Sequence, residues 1–301
     1  MKARTISKFL TIAAMLSGSL LLIGWDQPRI ASTVKFKLLR DYVIVIPVTV
    51  NGAGPYQFLL DTGSSTTLVS TEFARTMRLR PVDRVELVTT TGSRIVPRAR
   101  LERLAAGAKS VANVEVLFSD LREVRSVEPA ICGVLGTNVL TQFNYLLDYR
   151  ERQIAIEEDG ELERSLCGER VPIELHEGRM LVSSQGGLRL VLDSGIPMLF
   201  LFGRNFGLDW ASGESKSLVA RSDLGSRAVE QRRLRSFTIG SERFGNLPVA
   251  LSGTKTASEA RIEDGLLPTN LFHNVYFNHL KGFVIFNSSA ARAAPRSWLR
   301  D

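Results

Sequence analysis

The apolar residues of this chain fall in short runs between turn-forming clusters, a pattern of strands rather than of long helices. Tyr42-Val43-Ile44-Val45-Ile46 opens the first run, and Pro47 after it suits a strand end or an edge. Asn51-Gly52-Ala53-Gly54-Pro55 is turn chemistry, and Tyr56 to Leu60 reads as the second strand of a hairpin that delivers Asp61 at its end. Thr66 to Val69 is strand-like again. Ser70 is placed to cap a short helix over Thr71 to Leu79, with Phe73 and Met77 at helical spacing. From Val85 to Phe118 short β segments alternate with polar turns, one at Thr90-Thr91-Gly92-Ser93 and another at Gly107 to Asn113. Ile131 to Leu135 is an apolar run with glycine inside. Thr137 to Phe143 predicts a short helix, and Tyr145 to Ile156 two strands around the turn Tyr149-Arg150-Glu151-Arg152.

After a charged stretch from Glu157 to Glu169 the programme repeats. Phe58 to Gly63 leads into an Asp-Thr-Gly turn, and Leu190-Val191-Leu192-Asp193-Ser194-Gly195 repeats it 132 residues later. Gly133 to Asn138 maps onto Gly265 to Asn270 by the same offset, Gly92-Ser93-Arg94 onto Gly225-Ser226-Arg227 by 133, and Asn144 to Ile156 onto Asn274 to Phe286 by 130. Leu101, Leu104, Gly107, Asn113 and Val116 also find their copies 133 residues on. Two copies of one lobe pack most simply about a pseudo-twofold axis, where elements near the axis meet their own copies. Asp61 and Asp193 are the obvious pair to meet.

Two carboxylates at hydrogen-bonding distance cannot both ionise easily, so they share a proton. The ionised member can act as general base on a water, and the protonated member can polarise a carbonyl. That combination hydrolyses an amide with neither metal nor covalent intermediate.

The run Asp61-Thr62-Gly63-Ser64-Ser65, with Val134-Leu135-Gly136 about 70 residues on, resembles the aspartic proteases. The second half offers Asp193-Ser194-Gly195 and Leu266-Leu267 after Gly265, so the resemblance covers nearly all of residues 40–290. Short lobes and the lack of a Trp after the first motif look closer to the bacterial retropepsin-like aspartyl proteases than to pepsins. The resemblance implies an all-β fold of two pseudo-twofold-related, β-barrel-like lobes with short helices, a cleft between them and a hairpin flap. By position Asp61 and Asp193 would be the catalytic dyad. Thr62, Gly63, Ser64, Ser194 and Gly195 would support its loops, with the Ser64 hydroxyl on the outer oxygen of Asp61. Thr91, Gly92 and Ser93 would be the flap tip. The implied activity is an aspartic endopeptidase on a peptide or protein substrate. The alternative is a catalytically silent peptide-binding protein that keeps the fold. Three features depart from the family pattern: Ile196 replaces the expected hydroxyl after Asp193, the flap has no Tyr, and the hairpin before Asp193, with Gly186-Gly187, is short.

Other chemistries find little support. His176, His273 and His279 do not form a ligand set, so neither metal nor cofactor is expected. The formal charge is +7, but the Arg-rich clusters lack interleaved aromatics and read as solvated faces, not as a nucleic-acid surface. Lys2, Arg4 and Lys8 precede an apolar run from Phe9 to Trp25, the layout of an export signal or an uncleaved membrane anchor. An exported, periplasmic, secreted or membrane-anchored monomer carrying both lobes follows. Cys132 and Cys167 could form one disulfide in such a compartment, while Cys132, between Ile131 and Gly133, equally reads as a small buried residue. The expected organisation is a signal or anchor at 1–25, a tether at 26–41, a first lobe at 42–158, a linker at 159–170, a second lobe at 171–290 and a tail at 291–301.

Overall fold

The computed structural model describes residues 32–157, 160–203, 207–213, 215–253 and 262–290. The signal or anchor segment, residues 26–31 and the tail at 291–301 lie outside the described residues. The chain is all-β, with four short α-helices among the described residues: Thr71–Thr76, Arg122–Val127, Thr137–Leu140 and Glu161–Ser165.

Each lobe is built on one eight-stranded sheet, and the two sheets have the same strand order. In the first lobe the order is Lys37–Leu39, Val43–Val50, Ala53–Leu60, Ile131–Leu135, Thr67–Ser70, Lys109–Ser119, Ser93–Ala106 and Asp83–Val88. In the second it is Glu174–His176, Arg179–Ser183, Arg189–Asp193, Gly265–Pro268, Leu199–Phe202, Glu242–Ser252, Gly225–Ile239 and Lys216–Ser222. Pairing of Thr49 and Val50 with Ala105 and Leu104 curls the first sheet back on itself. The copied turn residues keep their backbone: Gly107 and Gly240 have φ of 56° and 53°, and Asn113 and Asn246 have φ of 54° and 52°. A left-handed conformation is open chiefly to Gly and Asn, so these identities recur for a stated reason.

A six-stranded sheet joins the lobes in the order Ser32–Lys35, Gln153–Ile156, Tyr145–Asp148, Asn274–Asn278, Phe283–Phe286, Arg170–Pro172. Its centre locates the axis. Leu146 pairs with Tyr276, its own copy; Tyr145 pairs with Phe277 and Leu147 with Val275, each pair the exchanged copy of the other. The apolar alternation read from the sequence ends in one core spanning both lobes, where Ile46, Phe58, Leu101, Tyr145, Leu192 and Phe277 are all fully buried. Side chains of this size contribute about 1.5–3 kcal/mol each on burial.

Several details differ from the sequence reading. The first helix stops at Thr76 rather than Leu79, because Arg78 turns left-handed at φ 53°. Its Ser70 cap is in place, accepting from the Phe73 N–H at 3.0 Å. Pro47 lies inside the strand Val43–Val50, not at its end. It is tolerated in a gap on that strand's second side: Lys37–Leu39 covers only Val43 to Val45, and the next neighbour begins at Thr49. Residues 32–39, read as tether, are edge strands, and the charged linker folds into the helix Glu161–Ser165. No disulfide links Cys132 and Cys167, which are both free thiols. Cys132 sits in a first-lobe strand and donates to the Ala130 carbonyl at 3.5 Å, whereas Cys167 is exposed on the two-residue strand Leu166–Cys167.

Candidate active site

Two apolar strands carry the aspartates to the same spot. Ala53–Leu60 runs parallel to Ile131–Leu135, and the Asp61 N–H donates to the Leu135 carbonyl at 3.0 Å. Arg189–Asp193 runs parallel to Gly265–Pro268, with Asp193 opposite Pro268. The turns that follow brace one another across the axis. The Thr62 N–H donates to Ser194 Oγ (3.0 Å) and the Ser194 N–H to Thr62 Oγ1 (3.0 Å). Thr62 Oγ1 donates to the Leu192 carbonyl and Ser194 Oγ to the Leu60 carbonyl, both at 2.9 Å. Thr62 is fully buried and Ser194 nearly so, so each of these four bonds is made away from water.

The brace brings the carboxyl groups together. Asp61 accepts from the Gly63 N–H at 2.9 Å, and Asp193 from the Gly195 N–H at 2.7 Å. A β-carbon at Gly63 would run into the Asp193 carboxyl, and one at Gly195 would lie 3.1 Å from that of Asp61, so only glycine permits this approach. Burial raises both proton affinities above the ordinary carboxylate range, and Asp193 rises further because the charge of Asp61 faces it. Interaction between the two carboxyls favours the charged form of Asp61 and the neutral form of Asp193.

Residues 46–139 match the family model described as aspartyl protease. That match makes most of the first lobe similar to the aspartyl proteases. A crystal structure of a retropepsin-like aspartic protease from Rickettsia conorii is similar at 19% identity, covering 41% of this chain and 87% of that one, with a TM-score of 0.31. No curated protein matches. The second half of the chain lies outside the matched residues and repeats the strand order of the first.

The supporting residues divide unevenly. Ser64 does not do what its position implied: its hydroxyl donates to the Thr66 carbonyl at 2.8 Å. Burial raises the proton affinity of Asp61, and backbone N–H groups, those of Gly63 and Ser64, offset part of that rise. Around Asp61 the loop is densely bonded. The Thr137 N–H reaches the Ser64 carbonyl at 2.8 Å, and its hydroxyl reaches the Ser64 and Ser65 carbonyls, both at 3.2 Å. Asn138 Oδ1 accepts from the Thr67 N–H (2.9 Å) and hydroxyl (2.7 Å). In the second lobe Leu199 stands where the repeat places Thr67, and Asn270 Oδ1 is buried with no partner. Ile196 packs beside the apolar cluster containing Phe200 and Leu266 instead of serving Asp193.

The flap reading needs enlarging. Thr89 to Gly92 is a hairpin tip between Asp83–Val88 and Ser93–Ala106, closed by the Thr89 N–H on the Gly92 carbonyl at 2.8 Å. A second hairpin, Lys216–Ser222 with Gly225–Ile239, comes from the other lobe and meets it. Ser222 Oγ bonds Thr89 Oγ1 at 3.0 Å and also Thr91 Oγ1. Beside it, Asp223 accepts from Ser119 Oγ at 2.8 Å and the Glu123 N–H at 3.3 Å, both in the first lobe. Sequence reasoning named one flap and missed the second, although the 133-residue offset of Gly92-Ser93-Arg94 already marked it.

Proposed function

We propose that this chain is an aspartic endopeptidase that hydrolyses peptide bonds with a water activated by Asp61 and Asp193. The observation that supports it is the meeting of the two carboxyl groups at the centre of the reciprocal Thr62–Ser194 brace, each against the glycine that follows the other. In this reading a water enters between the carboxyls when a peptide binds. Asp61, the more acidic partner, takes its proton while Asp193 donates a hydrogen bond to the scissile carbonyl. The attack gives a tetrahedral diol, and proton return to the amide nitrogen releases the amine. The two hairpins close over an extended peptide, their hydroxyl-bearing tips taking the place of a flap tyrosine. Because the pair shares one proton at raised affinity, activity extends toward neutral pH. The chain acts as an exported or membrane-anchored monomer.

Asp61→Asn and Asp193→Asn should each abolish cleavage of an unfolded protein substrate while leaving the circular dichroism unchanged; retained cleavage in both sinks the proposal. A second reading, a silent peptide-binding protein, is favoured by the sparse bonding of the Asp193 loop. Wild-type protein that binds peptides but cleaves none from acid to neutral pH would select it. Slow cleavage blocked by a hydroxyl-bearing transition-state mimic would reject it.

A further inference from the structure

We propose that Tyr149, contributed by the first lobe, is the positioning residue for Asp193, acting through Thr269. The inference rests on the proposed dyad and deepens it. Thr137 and Thr269 are copies, and each follows a strand that runs beside an aspartate strand. Thr137 ties the Asp61 loop with its N–H and hydroxyl, as described above. Among the described residues, no hydrogen bond joins Thr269 to the residues that follow Asp193. Its hydroxyl is fully buried and meets one partner, the Tyr149 hydroxyl at 2.6 Å.

Tyr149 is well placed to act as a strut. Its N–H donates to the His273 carbonyl at 2.9 Å, so both ends of the residue are fastened to the second lobe. Its ring stands edge-on to Phe36, with centroids 6.3 Å apart. Burial first, and the nearby charge of Asp193 among the lesser causes, push its hydroxyl far above the ordinary phenol range. It is therefore a neutral hydrogen-bonding group within electrostatic reach of Asp193, and Asp61 is the other ionisable group facing that carboxyl.

The pseudo-symmetry supplies a control. In the 130-residue offset the copy of Tyr149 is His279. His279 does not brace Thr137: its Nε2 is buried without a hydrogen-bond partner, and its ring lies 5.6 Å from that of Tyr145. The tyrosine strut thus exists only on the Asp193 side, whereas the Thr137 hydroxyl also meets the Gly178 carbonyl of the second lobe. Removing it lets Thr269 and its neighbour Pro268, which pairs with Asp193, relax, and loosens the geometry of the dyad, where a small displacement costs turnover.

The test compares Tyr149→Phe, which keeps the ring, with Thr269→Val, Thr269→Ser and the double variant Tyr149→Phe/Thr269→Val. Two readouts are taken: steady-state kinetics and the titration of the dyad carboxyls by NMR on aspartate-labelled protein. Tyr149→Phe and Thr269→Val should each lower kcat about tenfold with KM within about twofold. The double variant should be no worse than either single, and Thr269→Ser should retain wild-type behaviour. The raised Asp193 titration should move down toward the ordinary carboxylate range in Tyr149→Phe. Wild-type kcat and titration in Tyr149→Phe overturn the proposal, as do single effects that multiply in the double variant. If the wild type cleaves nothing, the endopeptidase reading falls, while the titration still decides the role of Tyr149.

Discussion

Thr62→Val isolates the brace between the lobes. Valine keeps the shape of threonine but can neither accept from the Ser194 N–H nor donate to the Leu192 carbonyl. Both groups would then be buried without a partner, at about 1–3 kcal/mol each. The added methyl recovers part of one such loss, so the net cost is about 2–5 kcal/mol. Thr62→Ser keeps both bonds and loses one buried methyl, about 1 kcal/mol. For a chain of this size each kcal/mol lowers Tm by roughly 2–4 °C. Valine should therefore cost about 4–20 °C and serine a few degrees at most. Calorimetry at neutral pH, with denaturant titration as a second probe, reads the difference directly. If serine destabilises as much as valine, packing of the methyl rather than the four reciprocal bonds holds the turns together, and the account of the site given above is wrong.

Ser64→Ala removes only a bond to the Thr66 carbonyl, so the pH profile of turnover should match wild type; a shifted acid limb would show that the hydroxyl serves Asp61 after all. Asp193→Asn should raise Tm near pH 7, because a carboxyl whose proton affinity is raised by burial costs stability once pH exceeds its unfolded value. Near pH 3, where the folded carboxyl is already neutral, the gain should vanish, and an equal gain at both pH values would contradict the burial argument. Burial lowers His279 to about 4, so its neutral form is favoured in the folded state. Stability falls as pH drops from about 6.5 toward 4, by up to about 3 kcal/mol from this group, and His279→Phe should flatten that part of the Tm–pH curve. Asp223→Ala should speed amide hydrogen exchange in residues 216–226 while sparing the six-stranded sheet; unchanged exchange would mean that the second hairpin does not depend on its first-lobe contacts.

What could be read without coordinates followed from repetition. The offset of 132 paired Asp61 with Asp193, and in the fold each carboxyl lies against the glycine that follows the other. The same offsets pointed to the second flap, but hairpin tips are polar and variable, so their meeting is visible only through Ser222, Thr89 and Thr91 in space. Ser64 illustrates a different limit. A hydroxyl three residues after an aspartate has several acceptors in reach, and the nearer Thr66 carbonyl took it. The strands Ser32–Lys35 and Arg170–Pro172 are too short and too mixed in polarity to signal themselves. They form because the shared sheet offers open edges. The role of Tyr149 was hidden for the same reason: its partner Thr269 lies 120 residues away, and its position read only as a turn.

The meeting of the hairpin tips sets a kinetic condition on whatever passes beneath them. At the tips themselves the clasp consists of neutral hydroxyl bonds in a half-exposed place, each contributing about 0.5–1.5 kcal/mol, with the Asp223 bonds beside them. Two such bonds by themselves leave the tips apart in only about one molecule in five to one in 150 at any instant. A chain segment must arrive during that interval or be threaded end-first, so capture is slower than collision by the same factor. Loose tails and unfolded segments meet this condition, and compact domains do not. The gate would thus select by the state of folding before the cleft reads any side chain.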